Sequence, residues 1–270
     1  MNSTNDFFNQ GNIVSKIHLD EILANDEKKS SNLELKYIPK VNIQTSEVFS
    51  IEPSVFFVHR DSAHLAHRYQ CKGSYKLSAF KVFEKSVDCS LKDCAEWDKI
   101  GKRFSISINT PAALLMNNWC PSYVHEALEK HKIEPQRLTI NVYPDHSDMG
   151  NKDLLCSLAS LNLMGVRLCL SNFGGDSTAL SALSSIKFDE VRIDKEVTQK
   201  IAYSEKHKEI LSQLTNLAHR LGLQVSADGV KYKFQKEILE ICGVDYIQGE
   251  YLNSPVTSDE ITLFLSKFRT

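Results

Sequence analysis

Polar and charged side chains follow several apolar, strand-like segments of this chain at the point where each segment ends. The segment RFSISIN at 103–109, for example, alternates polar and apolar residues and ends in an asparagine. Because the carboxyl ends of parallel strands meet at one edge of a barrel, such residues are expected to converge there and line a pocket. Each of them could equally cap the helix that follows its strand. The residues are Glu52, Asn109, Pro144, Ser171 with Asn172, Arg192 with Asp194, Asp228 and Gln248.

The strand-like segments alternate with helical patterns, in which apolar residues recur three and four positions apart, as they do from Ile210 to Leu221. Thr257 and Glu260 have the spacing of a capping box and predict a helix start before Ile261. Eight strands separated by helices within about 250 residues favour an α/β fold, a TIM-like (β/α)8 barrel with right-handed crossovers. A hairpin over Ile43 to Ser46 would make the first strand antiparallel to the second. The strand candidates are residues 33–38, 47–52, 103–109, 137–143, 166–171, 189–194, 223–228 and 244–249.

Composition places the chain among globular proteins, with 42% apolar and 24% charged residues. A net charge of -2 provides no broad attraction for nucleic acid or an anionic membrane. The first residues lack the charged and apolar regions of a secretory signal, and no apolar run is long enough to span a bilayer. The seven scattered cysteines, without a C-x-x-C pair, indicate free thiols in a reducing cytoplasm. Residues 1–32 are predicted to form a polar lead-in with a helix, and residues 33–270 the barrel domain.

The most specific pattern in the chain is LSNFGGDSTALSALSSIKFDEVRID at 170–194. It resembles the part of the bacterial EAL family, the cyclic-di-GMP phosphodiesterases, that contains DDFGTG, a Ser-Leu helix and K-x-D. The segment SADGVKYKFQKEILEICGVDYIQGEYLNSPV at 226–256 is similar to the family's AEGVE segment and the Asp-Tyr and Gln-Gly pairs after it. SISIN at 105–109 and IEPS at 51–54 stand where the family has a metal-binding asparagine and its Glu-Ala-Leu signature. The resemblance covers roughly residues 15–268.

The resemblance implies metal-dependent hydrolysis at the strand ends. In the family, two divalent cations, Mg²⁺ or Mn²⁺, activate a water that attacks a phosphodiester of cyclic-di-GMP and gives the linear dinucleotide. Two hard cations close together require several anionic oxygen ligands. By position in the motifs, Glu52 and Asn109 match ligands of the first metal, and Asp194 matches the aspartate of K-x-D.

Other positions of that site depart from the family pattern and remove anionic groups. Arginine in place of lysine and aspartate in place of glutamate also change the reach of the side chain. The resemblance therefore implies a degenerate site with no bound metal and no catalytic residues, so that the chain is expected not to be an enzyme. Mg²⁺ or Mn²⁺ is expected only if the site still works. The replacements are Pro144 for a glutamate, Ser171 and Asn172 for the aspartate pair, Arg192 for the catalytic lysine, Asp228 for the glutamate base and Lys231 for a second glutamate.

Binding of the nucleotide without cleavage is a separate expectation from the resemblance. Family members that bind in this way do so chiefly through an arginine after the Glu-Ala-Leu signature, and here that position is Phe56. Gln248 and the FGG turn at 173–175 remain as contact or loop-shaping positions of the family, and preservation of the fold itself is the favoured explanation for them.

Two further groups of residues stand outside these motifs. HRDSAHLAHR at 59–68 would place His64 and His67 on one helix face, close to His59 and Asp61, as a metal site or as a solvated helix surface. Cys89 and Cys94 lie on a predicted helix without a histidine at a suitable spacing, which indicates ordinary core or surface residues.

These observations predict a catalytically inactive EAL-like protein that acts by contact with a regulatory protein in motility, biofilm or virulence signalling. The alternatives are a cyclic-di-GMP receptor that does not hydrolyse its ligand, with Glu52, Asn109, Asp194 and Gln248 as binding candidates, and a divergent metal-dependent phosphodiesterase. A homodimer is compatible with the sequence.

Overall fold

The structure is a computed structural model that describes residues 33–59, 62–65, 76–143, 150–175 and 178–265. The predicted lead-in at 1–32 lies outside this part of the chain. The strands are β1 (Leu33–Asn42), β2 (Val48–His59), β3 (Ser62–Leu65), β4 (Ser105–Pro111), β5 (Leu138–Tyr143), β6 (Arg167–Phe173), β7 (Glu190–Ile193), β8 (Gln224–Ala227) and β9 (Tyr246–Gln248). The helices are α1 (Lys76–Lys99), α2 (Ala112–Leu115), α3 (Trp119–His131), α4 (Lys152–Met164), α5 (Thr178–Ser185), α6 (Lys195–Lys200), α7 (Glu205–Arg220), α8 (Lys233–Ile241) and α9 (Ser258–Leu265).

Eight strands close into a barrel in the order β1-β9-β8-β7-β6-β5-β4-β2, and pairing of β1 with β2 completes the circle. Strands β2 and β4 to β9 run parallel, whereas β1 is antiparallel to both of its neighbours. The predicted (β/α)8 barrel and its antiparallel first strand are thus confirmed. Because the parallel strands all end at the same rim, the polar residues at their ends come together there.

Local chemistry explains several element boundaries. The hairpin between β1 and β2 is closed by Asn42, whose Oδ1 accepts hydrogen bonds from the backbone N–H groups of Gln44 and Thr45, each at 2.9 Å. The predicted capping box at the start of α9 is present, since Thr257 N donates to Glu260 Oε2 at 2.8 Å and Glu260 N donates to Thr257 Oγ1 at 3.4 Å. The amphipathic helices of the barrel bury one apolar face against the strands, as α4 does with Leu154, Leu158 and Leu161.

The region after β2 differs from its prediction. Strand β2 continues to His59, and residues 62–65 then pair with it as the antiparallel strand β3, so His64 lies on a strand and the predicted helix face of His64 and His67 is wrong at that position. His67 and Asp61 lie outside the described residues. The run VFFVH at the end of β2 favours extended backbone, and a hairpin partner satisfies its hydrogen bonds beyond the barrel rim.

A charge pair lies inside the barrel, among side chains that face its axis. Lys40 on β1 donates to both carboxylate oxygens of Glu190 on β7, at 2.7 and 2.9 Å, and Ser226 on β8 donates to the same carboxylate at 2.5 Å. Lys40 is 1% exposed and Glu190 0% exposed. Burial by itself raises the pKa of Glu190, but the neighbouring charges of Lys40 and Arg192 and these hydrogen bonds hold that pKa below its ordinary value.

Each helix in the described ranges is too short or too polar to span a bilayer.

We propose the division of the chain into a lead-in at 1–32 and a barrel domain at 33–270, because β1 begins at Leu33 and closes the barrel.

The substitution Glu190→Gln is expected to lower the free energy of unfolding by roughly 3 kcal/mol or more, because it leaves the buried ammonium of Lys40 without a counter-charge. Chemical denaturation followed by circular dichroism measures this. Glu196→Gln is the matched control: its carboxylate pairs with Lys200 at 3.1 Å on the exposed surface of α6, and its loss should change stability by no more than about 0.5 kcal/mol. Equal effects of the two substitutions would contradict the importance assigned to the buried pair.

Candidate nucleotide-binding site

Side chains from four strands meet at the carboxyl rim of the barrel around the carboxylate of Glu52 on β2. Arg192 Nη2 on β7 donates to Glu52 Oε2 at 2.6 Å, and Asn109 Nδ2 on β4 donates to Glu52 Oε1 at 2.8 Å. Asn141 Nδ2 on β5 lies 3.2 Å from Glu52 Oε2 and 2.9 Å from Asn109 Oδ1. The hydroxyl of Tyr143, further along β5, donates to Asn109 Oδ1 at 3.2 Å. We call these five residues the rim cluster.

The ion pair between Glu52 and Arg192 is almost wholly out of water, with side-chain exposures of 5% and 4%. Burial raises the pKa of Glu52, but the charge and hydrogen bond of Arg192, together with the Asn109 amide, outweigh it and hold that pKa below its ordinary value. Burial lowers the pKa of Arg192, but the negative charge of Glu52 opposes it and the pKa is raised above its ordinary value, so the guanidinium stays charged. Both groups are therefore ionised at neutral pH.

Asp228, at the end of β8, experiences the opposite balance. Burial raises the pKa of its carboxyl group; the charge of Arg192 lowers it, and the negative charge of nearby Glu52 raises it again, with a raised pKa as the result. Its Oδ1 accepts a hydrogen bond from the backbone N–H of Gly229 at 2.6 Å. The surroundings thus shift the pKa values of two carboxyl groups of one site in opposite directions, that of Glu52 down and that of Asp228 up.

The other residues predicted from strand ends have separate positions. Ser171 is buried on β6, while Asn172 adopts a left-handed conformation with φ 60 where the pairing of β6 with β7 shifts its register. The carboxylate of Asp194 caps α6 by accepting from Glu196 N at 2.7 Å, which is the capping role the sequence left open. Pro144 lies outside the described residues.

Three further predicted positions lie on β2, on β9 and after β8. Gln248 ends β9 and is 2% exposed, and within the described residues its Oε1 has no hydrogen-bond partner. Lys231 is partly exposed, with its Nζ 3.6 Å from Glu250 Oε2. Phe56, at the family's arginine position, has the Nζ of Lys36 at 5.5 Å from the centre of its ring. The structure thus brings Glu52, Asn109 and Arg192 into direct contact and leaves Asp194 and Lys231 in other interactions.

Sequence reasoning missed Asn141 and Tyr143. Both lie on β5, in the segment RLTINVY, where Thr139, Asn141 and Tyr143 alternate with buried apolar residues. That period of two was the available signal, because alternate residues of a barrel strand face the axis.

A model of one protein family, described as the EAL domain, matches residues 23–255. The chain belongs to the EAL domain family. The oxygen sensor protein DosP of Escherichia coli (strain K12) is 24% identical over 250 residues, which are 92% of this chain and 31% of that protein. The bifunctional diguanylate cyclase/cyclic di-GMP phosphodiesterase MucR of Pseudomonas aeruginosa is 26% identical over 158 residues, 58% of this chain and 23% of that protein.

Among solved structures, the PaMucR phosphodiesterase in complex with c-di-GMP superimposes with a TM-score of 0.80 at 22% identity, covering 90% of this chain and 98% of that one. At this identity the likeness shows the fold. The first curated relatives are longer proteins, of which this EAL domain spans 22%, 31% and 21%.

These comparisons correct one prediction. The expectation that the chain is not an enzyme is wrong. It conflicts with the activity of the family, since EAL domain relatives and structural neighbours are named as c-di-GMP phosphodiesterases. That expectation came from the replaced motif residues and gave them more weight than membership in a family of hydrolases.

The family's divalent cations can be tested against the residues that this EAL domain presents. Both oxygens of Glu52 already accept hydrogen bonds, from Asn109 on one side and from Arg192 and Asn141 on the other. Ser171 and Asn172 carry no charge. Within the described residues, no three His, Cys, Asp or Glu side chains form a group able to hold a metal ion. The described donor set does not fit a pair of divalent cations, which need several anionic oxygen ligands.

The two carboxyl groups of the site should respond to amide substitution with opposite signs. Glu52→Gln leaves the Arg192 guanidinium buried without a counter-charge and is expected to destabilise by about 3 kcal/mol. Asp228→Asn keeps the acceptor for Gly229 and is expected to stabilise. An acid whose folded pKa is raised binds a proton on folding, so stability falls as pH rises above the unfolded value near 3.9.

Denaturant unfolding between pH 4 and pH 9 tests both substitutions. The gain from Asp228→Asn should be absent near pH 4 and should grow with pH until the native carboxyl group has ionised. A loss of stability that is the same at every pH would instead assign Asp228 a purely structural hydrogen bond.

Proposed function

We propose that this EAL domain binds cyclic-di-GMP at the carboxyl rim of its barrel and serves cyclic-di-GMP signalling. The observation that carries the proposal is the rim cluster, in which four strands direct hydrogen-bonding side chains to one place around the Arg192 guanidinium. Ligands of α/β barrels bind at this rim. A planar guanidinium is the side-chain group best matched to the oxygens of a phosphodiester.

The charge of the site supports an anionic ligand. The charges of Glu52 and Arg192 cancel each other in their ion pair. The exposed residue Lys195, at the start of α6, contacts Gly229 next to Asp228 with its side chain and adds positive charge beside the rim. A balanced ion pair with a lysine beside it is compatible with two phosphodiester groups, which carry one negative charge each.

Gln248 supports a ligand with hydrogen-bond donors. Its buried Oε1 lacks a partner within the described residues, and an unpaired buried acceptor costs free energy until a donor reaches it. The guanine base offers such donors on its N2 amino group. Gly249 supports this placement of Gln248, because any Cβ at position 249 would collide with the Val230 backbone.

This chain spans less than a third of the length of its first curated relatives, so the activities of those whole proteins are not assigned to it. We propose that nucleotide binding belongs to the domain and that signalling output depends on its partners. We also propose a cytoplasmic location, because the free thiols of Cys89, Cys94 and Cys156 and the proposed ligand are compatible with that compartment.

Calorimetric titration with cyclic-di-GMP should show binding to the wild-type chain and at least tenfold weaker binding to Gln248→Ala, because the buried acceptor is removed. Gln213→Ala on the exposed surface of α7 is the matched control and should bind as the wild type does. Chromatography of the recovered nucleotide shows whether the linear dinucleotide is formed. Absence of any heat or thermal shift with the nucleotide would contradict the proposed function.

A second function, contact with another copy of the chain, has one specific observation in its favour. Ile210, Leu217 and Leu221 on or just after α7 are 43%, 38% and 55% exposed, and the spacings of seven and four place them on one stripe of the helix. Heptad-like apolar stripes of this kind pack against a second helix. A pair of equivalent α7 helices is therefore the contact that we propose.

Light scattering after size exclusion should give a mass that rises toward twice 30.6 kDa as the protein concentration increases. Leu217→Glu should keep the chain monomeric, whereas Ser212→Glu, away from the stripe, should leave the association unchanged. A single monomer mass at every concentration would exclude this contact.

A further inference from the structure

We infer that the Arg192 guanidinium stands in for a divalent cation in this site, so that cyclic-di-GMP binds here without a metal ion. This inference rests on the proposed function and deepens it.

The guanidinium occupies the position beside the Glu52 carboxylate that a bound metal ion would take. Its Nη2 lies 2.6 Å from Glu52 Oε2, within the distance of a charge-assisted hydrogen bond. Asn109 occupies the other oxygen at 2.8 Å, and the Asn141 amide also approaches the first. A metal ion would have to displace these donors before it could bind the carboxylate.

The surrounding residues also favour a fixed cation over a second, mobile one. Besides Glu52, the groups that hydrogen-bond to Arg192 within the described residues are the neutral Asn109 and Tyr143, and Ser171 and Asn172 on β6 are neutral as well. A divalent cation placed beside Glu52 would lie within a few ångströms of a guanidinium that is already positive, and like charges at that distance repel strongly when buried. Among the described residues, Glu52 is the one carboxylate that forms an ion pair with Arg192, and one carboxylate balances one guanidinium.

One edge of the guanidinium is held less firmly than the other. Whereas Nη2 makes its short bond to Glu52, Nη1 makes only long contacts within the described residues, 3.3 Å to the Tyr143 hydroxyl and 3.4 Å to Asn109 Oδ1. A phosphodiester oxygen is a stronger acceptor for Nη1 than either of these groups. The Glu52 side of the fork thus fixes the orientation, and the Nη1 side is directed toward a ligand.

Calorimetry with metal-free protein tests the inference. Protein dialysed against a chelator, with metal removal verified by mass spectrometry, is titrated with cyclic-di-GMP in EDTA and again with Mg²⁺ or Mn²⁺. The dissociation constants should agree within threefold. Ten times tighter binding with a divalent ion would overturn the inference while the proposed function stands. Absence of binding in all buffers would overturn both.

A charge-balanced double variant separates the role of Arg192 from folding. Arg192→Met alone leaves Glu52 unpaired and could unfold the chain, so Glu52→Gln with Arg192→Met removes both charges together. Retained structure is checked by circular dichroism. This variant should bind cyclic-di-GMP at least tenfold more weakly than the wild type, with and without Mg²⁺. Unchanged affinity of a folded double variant would show that Arg192 does not provide the charge.

Discussion

Four charges alternate along the interior of the barrel, and the arrangement of the site depends on their mutual compensation. Glu190 and Arg192 lie two residues apart on β7 and so both face the axis. Lys40 on β1 pairs with the first and Glu52 on β2 pairs with the second. Because β1 and β2 are the hairpin that closes the barrel, each ion pair joins the closing strands to the opposite wall. No single charge of the four could be buried without its neighbours, since an uncompensated charge costs several kcal/mol in such surroundings.

Much of the fold could be predicted from the sequence because its strands and helices carry local patterns. Strand candidates could be recognised because apolar and β-branched residues dominate them, and helices because the apolar period lengthens to three and four. The capping box of Thr257 and Glu260 is a short-range signal that the structure bears out directly. Strand β3 was missed because its four residues, SAHL, are too few to distinguish a strand period from a helical one, and its pairing depends on where β2 ends in space.

The site was only partly visible for a related reason. Glu52, Asn109 and Arg192 stand at strand ends, where a barrel carries its functional residues, and the structure brings them into contact. Lys40 and Glu190 were not singled out, because a lysine and a glutamate within strands ordinarily lie in water. Only the closure of the barrel brings them to 2.7 Å, a contact between residues 150 positions apart. Long-range pairing of this kind has no local sequence signal.

The same compensation sets what the site can offer a ligand. A lysine ammonium is a compact charge that would leave the oxygens of Glu52 partly free, whereas the planar fork of Arg192 bonds to one of them and extends a second edge toward Tyr143. Replacement of the family's lysine by arginine is consequently not conservative in this geometry. Glu52 becomes the counter-ion of a fixed cation, and the neutral asparagines around it are its hydrogen-bond donors. Burial and the negative charge of Glu52 then raise the pKa of Asp228, because a second negative charge beside Glu52 would have no cation of its own.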